Sequence, residues 1–154
     1  MCEHCGCRGV EPIAQLMDEH LALLDLGGEI RRHLDKGDRR GAWQLLGQLA
    51  HDLGHHVDRE ERGLFRAMKD QGDFGDAVGE LEGEHADFDE LLSELGLDDA
   101  DLEARVDDLL TELSTHIDKE NLGLFPVAVV TLGAEGWNTV AAVHEEPAHR
   151  AHSA

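Results

Sequence analysis

A chain of 154 residues with 13 basic and 34 acidic side chains, formal charge −21, is long enough for one domain with a real core and too acidic to be drawn to phosphate backbones or anionic lipid. Nucleic-acid and membrane partners are therefore not expected, and no apolar run approaches the roughly 20 residues needed to span a bilayer. A hydrophobic content of 41%, no Tyr and three Pro make a helical profile, and the lack of a basic-then-apolar leader pattern points to the cytoplasm.

The first nine residues, with Cys2, Cys5 and Cys7, are expected to form a tail whose short loops give a disulfide almost nothing to stabilise. Pro12 suits a first helical turn, and three connections, "KGDRR", "QGDFG" and "LGLDD", each place a helix-ending glycine before a capping aspartate. These are Gly37/Asp38, Gly72/Asp73 and Gly96/Asp98, and they predict helices over 12–36, 38–71, 73–95 and 98–125. Such short loops predict an all-α, up-down-up-down antiparallel four-helix bundle over residues 10–132. After Pro126, "VAVVTL" reads as a kinked continuation of the fourth helix. Residues 133–154 are expected to hold a short helix around Trp137, Val140 and Val143, then a His-containing tail.

Each predicted helix carries an apolar stripe at spacings of three and four, and each stripe contains one histidine: His20, His56, His85 and His116. The second and fourth stripes also contain a glutamate four residues on, Glu60 and Glu120. The surrounding segments are a repeat, because "HVDREERGLF" at 56–65 and "HIDKENLGLF" at 116–125 agree at six of ten positions. "DEH" at His20 and "GEH" at His85 extend it to the other helix pair, so the chain reads as two pairs related by a pseudo-twofold axis.

A single histidine in an apolar stripe is more often a hydrogen-bonded core residue than a ligand. Two inward glutamates need more, since a buried charge without a partner costs several kcal/mol and no lysine or arginine lies in the stripes. Residues four apart stack on one helix face, so each His-x-x-x-Glu presents an imidazole and a carboxylate to the same point. The six residues then form a polar metal centre, or alternatively a hydrogen-bonded polar core. Mixed imidazole and carboxylate donors suit an oxygen-bridged pair of iron or manganese ions better than calcium, magnesium or a single zinc. With metal removed, the facing carboxylates are expected to take up protons at raised pKa.

The order His, His-x-x-x-Glu, His, His-x-x-x-Glu, with the paired "GLF" segments, resembles the hemerythrin-like, or HHE cation-binding, family over about residues 10–132. That resemblance implies two irons with a bridging oxo or hydroxo group: Glu60 and Glu120 bridging, His20 and His56 on one iron, His85 and His116 on the other. It also implies dioxygen, peroxide or nitric oxide as the small reactant, in a sensor, scavenger or modest oxidase. A different class of role is also open: a non-catalytic module that senses iron or delivers it for repair of damaged iron centres. Protein partners are not readable. The chain departs from the oxygen carriers of the family, which place a second histidine four residues after the one at His85; here that residue is Asp89. The departure leaves the second iron a carboxylate or an open position.

His51 and His55, four apart, read as a solvated pair, and Glu61, whose counterpart in the repeat is Asn121, reads as exposed. His33 falls outside the core stripe. Cys2, Cys5, Cys7 and His4 offer donors for a metal but lack the second ligand pair of a strong zinc motif; His144, His149 and His152 could complete such a site.

Overall fold

In the computed structural model, which describes residues 10–146, all regular structure is helical. In chain order the elements are α1 (Glu11–Asp35), α2 (Arg39–Glu60), a π-helical turn π1 (Glu61–Phe65), α3 (Arg66–Gln71), α4 (Gly75–Glu94), α5 (Leu102–Lys119), a second π-helical turn π2 (Glu120–Leu124), α6 (Phe125–Thr131) and α7 (Ala134–His144). α2, π1 and α3 follow without a break, as do α5, π2 and α6, so four long helical stretches and α7 make up the bundle. α1 packs on α2 and α5, α4 packs on α5, α2 and α3, and α7 lies across π1 and α3.

The helix ends explain where the expected boundaries hold and where they move. Pro12 sits in the first turn of α1. Asp38 caps α2, its Oδ1 accepting from the Gly41 amide at 3.0 Å, and Gly37 before it has φ +77°. Gly72 ends α3 with φ +95° and open space where a side chain would begin. Asp73 and Asp98 do not cap: α4 starts after Phe74 and α5 after Asp101, neither with a side-chain cap bond. α4 stops when Leu95 turns extended, and Gly96 keeps a negative φ. The Asp99 side chain secures that turn by accepting from the Gly96 amide at 2.8 Å, so the capping chemistry is there but closes a loop instead of starting a helix. Because the Gly72 site is open, Gly72→Ala should cost only the left-handed backbone penalty, about 1–2 kcal/mol. The midpoint of a urea unfolding curve measures that loss.

Both π turns fall on the repeat, directly after or at its inward glutamate. The amide of Arg66 bonds the carbonyl of Glu61, and that of Phe125 the carbonyl of Glu120, five residues back in each case. Pro126 follows π2 and cannot donate the next backbone bond, yet Arg66 stands in the matching place after π1. The shared sequence, and not the proline, therefore goes with the turn. After it the chain stays helical to Thr131, as expected for "VAVVTL".

Buried apolar residues form two clusters. One contains Ile13, Leu16, Leu64, Phe65, Val78, Leu81, Leu124 and Phe125; the other contains Leu23, Leu49, Leu53, Phe88, Val106, Leu113 and Ile117. In every long stretch the histidine stands between residues of the first cluster and residues of the second. A polar layer is thus clamped between two apolar ones.

Candidate metal centre

The structure brings all six sequence-predicted residues into that layer. His20, His56, His85 and His116 are each at most 5% exposed, and Glu60 and Glu120 are fully buried. Their donor atoms fall into two groups that share both carboxylates: His20, His56, Glu60 and Glu120 in one, Glu60, His85, His116 and Glu120 in the other. Within each group the atoms lie within 4.8 Å of one another.

Each carboxylate is turned so that its two oxygens serve different groups. Glu120 Oε1 is 2.9 Å from His20 Nε2, while its Oε2 is 3.1 Å from His116 Nε2. Glu60 Oε2 is 3.4 Å from His56 Nε2, while its Oε1 is 3.1 Å from His85 Nε2. All four carboxylate oxygens, with Nε2 of His20 and His56, are buried and make no well-formed hydrogen bond. Six convergent polar atoms left in that condition are costly when buried, and a cation between them removes the cost.

The outer ring nitrogens are all spoken for. Nδ1 of His56 donates to Glu19 at 2.7 Å, Nδ1 of His116 to Glu84 at 2.7 Å, Nδ1 of His85 to Glu61 at 2.8 Å and Nδ1 of His20 to the Asn121 side-chain carbonyl at 2.8 Å. A proton fixed on Nδ1 leaves the Nε2 lone pair pointing inward, the tautomer a metal ligand needs. Arg59 in turn binds Glu19, and Lys119 binds Glu84. Burial disfavours the Glu19 anion, but His56 and Arg59 outweigh it and hold the carboxyl below its ordinary range. Lys119 and His116 do the same for Glu84 against its burial.

The repeat now has a chemical account. Phe125 stacks on His20 with ring centroids 5.5 Å apart and planes 5° from parallel, and Phe65 stacks on His85 at 5.5 Å and 3°. Glu19 and Glu84, Arg59 and Lys119, and Glu61 and Asn121 stand at equivalent positions, each holding a histidine of the centre or its acceptor. Glu61 is consequently not the exposed residue its sequence suggested: it is about one-third exposed and orients His85. The signal that finds these eight residues is their recurrence at the same 60- and 65-residue offsets as the histidines.

Other candidates lie apart. Asp89 is exposed and belongs to neither donor group. His51 is exposed, its ring 4.5 Å from that of half-buried His55. His33 is bound to Asp38. His144 meets Gln15 through Nδ1 at 2.7 Å, and burial with the nearby Arg59 charge pushes it down to about 4. Cys2, Cys5, Cys7, His4, His149 and His152 lie outside the described residues.

Residues 11–128 match the hemerythrin HHE cation-binding domain. The chain belongs to that family. Its buried histidines and glutamates fit the binding of metal cations that the family description names. No curated protein and no solved structure gives a significant match. For this HHE domain, no helix among the described residues is long and apolar enough to cross a membrane.

Proposed function

We propose that this HHE domain holds two iron ions, with His20 and His56 on one, His85 and His116 on the other, Glu60 and Glu120 across both, and an oxo or hydroxo group completing the bridge. The observation that carries the reading is the turn of each buried carboxylate, one oxygen toward each donor group, between four imidazoles whose outer nitrogens are already engaged. Mixed nitrogen and oxygen donors without thiolate favour iron. When bound, such a pair supplies ligand binding and one-electron redox chemistry, here toward dioxygen, peroxide or nitric oxide.

The chain's own part is to fix and insulate. Glu19, Glu61, Glu84 and Asn121 set the histidine tautomers, Phe65 and Phe125 restrain two of the rings, and the apolar clusters keep bulk water from both ends. The four long stretches are taken to run up, down, up and down. Reading along the chain, α1 and α4 pass the first cluster before the histidine, whereas α2 and α5 pass the second cluster first.

Metal analysis and the electronic spectrum of freshly purified protein test this function. About two irons per chain and near-ultraviolet absorption of an oxo-bridged ferric pair are expected. Stoichiometric zinc, or a single iron with no such band, would overturn it.

A further inference from the structure

The two halves of the centre are not equally covered. Between α2 and α4 lies a cleft of about 690 Å³ whose lining includes His85 and its acceptor Glu61. Small residues make it: Ala50 and Gly54 on α2 and Ala86 on α4. The pseudo-twofold counterparts between α5 and α1 are larger, with Leu110 for Ala50, Ser114 for Gly54 and Leu21 for Ala86. There the helices meet closely, since a Cβ added at Gly27 would stand 3.2 Å from Leu110 Cδ2. Asp89 also lines the cleft, exposed on its wall, and its counterpart is Leu24. The residue one turn beyond His85 thus leaves the way to that histidine open instead of adding a donor.

The charge of the cleft selects among visitors. Two of its carboxylates have a cationic partner, Asp58 in Arg62 at 3.1 Å, which it shares with Glu146, and Glu82 in Lys69 at 3.0 Å. Asp89 makes no ion pair among the described residues, and Glu61 faces a histidine that is neutral when it serves as a ligand. Two uncompensated negative charges over an apolar floor of Ala50, Leu53 and Ala86 oppose an incoming anion and leave an uncharged molecule unaffected.

We propose that the α2–α4 cleft is the access route and binding site for the small reactant, that it delivers this reactant to the His85/His116 side of the centre, and that Glu61 and Asp89 make it selective for uncharged molecules over anions. The proposal rests on the iron-pair reading above and names the substrate class for that centre. Nitric oxide serves as the uncharged probe of the reduced iron-loaded protein and azide as the anionic probe of the oxidised one. Both are followed by stopped-flow spectra as binding rates, without turnover.

Ala86→Leu copies Leu21 into the cleft, and Gly54→Leu fills it from the other wall at a helical position with nothing within 4 Å. Each variant should keep two irons and bind both probes at least ten times more slowly. Leu21→Ala, on the opposite face, should leave both rates unchanged. Asp89→Asn should raise the azide rate several-fold and leave the nitric oxide rate alone. Parental rates in both filled variants, or equal slowing in Leu21→Ala, would overturn the route. An azide rate unchanged in Asp89→Asn would overturn the charge selection. Failure of the parent protein to bind either probe would overturn this proposal together with the function it rests on.

Discussion

Glu120→Ala should leave the protein with at most one metal ion per chain after loading with iron(II) under anaerobic conditions. The reason is geometric. Glu120 gives Oε1 to the His20 side, 2.9 Å from Nε2, and Oε2 to the His116 side at 3.1 Å, so removing it strips a donor from both groups of four at once. Glu60→Ala should do the same, because its oxygens divide between His56 and His85. His116→Ala removes one donor from one group and should release one ion while the other stays. His33→Ala is the control: that ring is on the surface, bonded to Asp38, and its loss should leave metal content at the parental value. Metal analysis after gel filtration reads all four variants. Two ions retained in both glutamate variants would show that neither carboxylate spans the centre.

How much of this was readable beforehand depended on where each residue points. The six inward residues were legible because a helix with a polar side chain in an apolar stripe breaks a regular period, and four such breaks at matched places leave little room for accident. The outer acceptors were not. Glu19, Glu61 and Glu84 follow or precede an inward residue by one position, which rotates them about 100° round the helix to a half-exposed edge. In a chain with 34 acidic residues they look like any solvated carboxylate. The same excess blurred the helix starts: Asp38 caps, whereas Asp73 and Asp98, with equally good sequence context, do not. The π turns were hidden for another reason. A five-residue turn shifts the helical register by one residue, too little to disturb a pattern of threes and fours, and only the coordinates show that Gly63, Leu64 and Phe65 are all buried in succession. The "GLF" segments were visible as a repeat and unexplained as chemistry until their phenylalanines were seen against His85 and His20.

Stripping the metal should lower the melting temperature, and the loss should widen as the pH rises from 6 to 9. For Glu120 the expectation that the facing carboxylates would take up protons is reversed by the structure. Burial alone would strip the His56 proton, but the charge of nearby Glu60 and the bond to Glu19 prevail and raise it to about 10. His85 is likewise raised to about 10 against its burial, by Glu120, Glu60 and Glu61. Burial pushes Glu120 up, yet the His116, His20 and His85 rings that converge on it hold it well below its ordinary range. In the metal-free chain the balancing protons therefore sit on His56, His85 and His116 and not on Glu120. A histidine whose folded pKa lies above its unfolded value of about 6.5 contributes stability that is complete below pH 6.5 and lost as pH rises through about 10. A carboxylate held low contributes above its unfolded pKa of about 4.5 and loses that contribution only in acid, so the metal-free chain should be most stable between about pH 4.5 and 6.5. The metal-loaded chain has no such dependence through these groups near neutrality, because the cations replace the protons. Loading at pH 8 should therefore release the protons held by His56 and His85, about two per chain, in addition to those given up by water in forming the bridge. The total is countable by calorimetry in buffers of different ionisation enthalpy. A stabilisation on the order of 5 kcal/mol at pH 8 would separate the two melting temperatures by roughly 10–20 °C for a domain of this size. Thermal melts of loaded and chelator-treated protein at pH 6, 7, 8 and 9 check this directly, and a gap that stays constant across that range would mean the imidazoles do not carry the balancing charge.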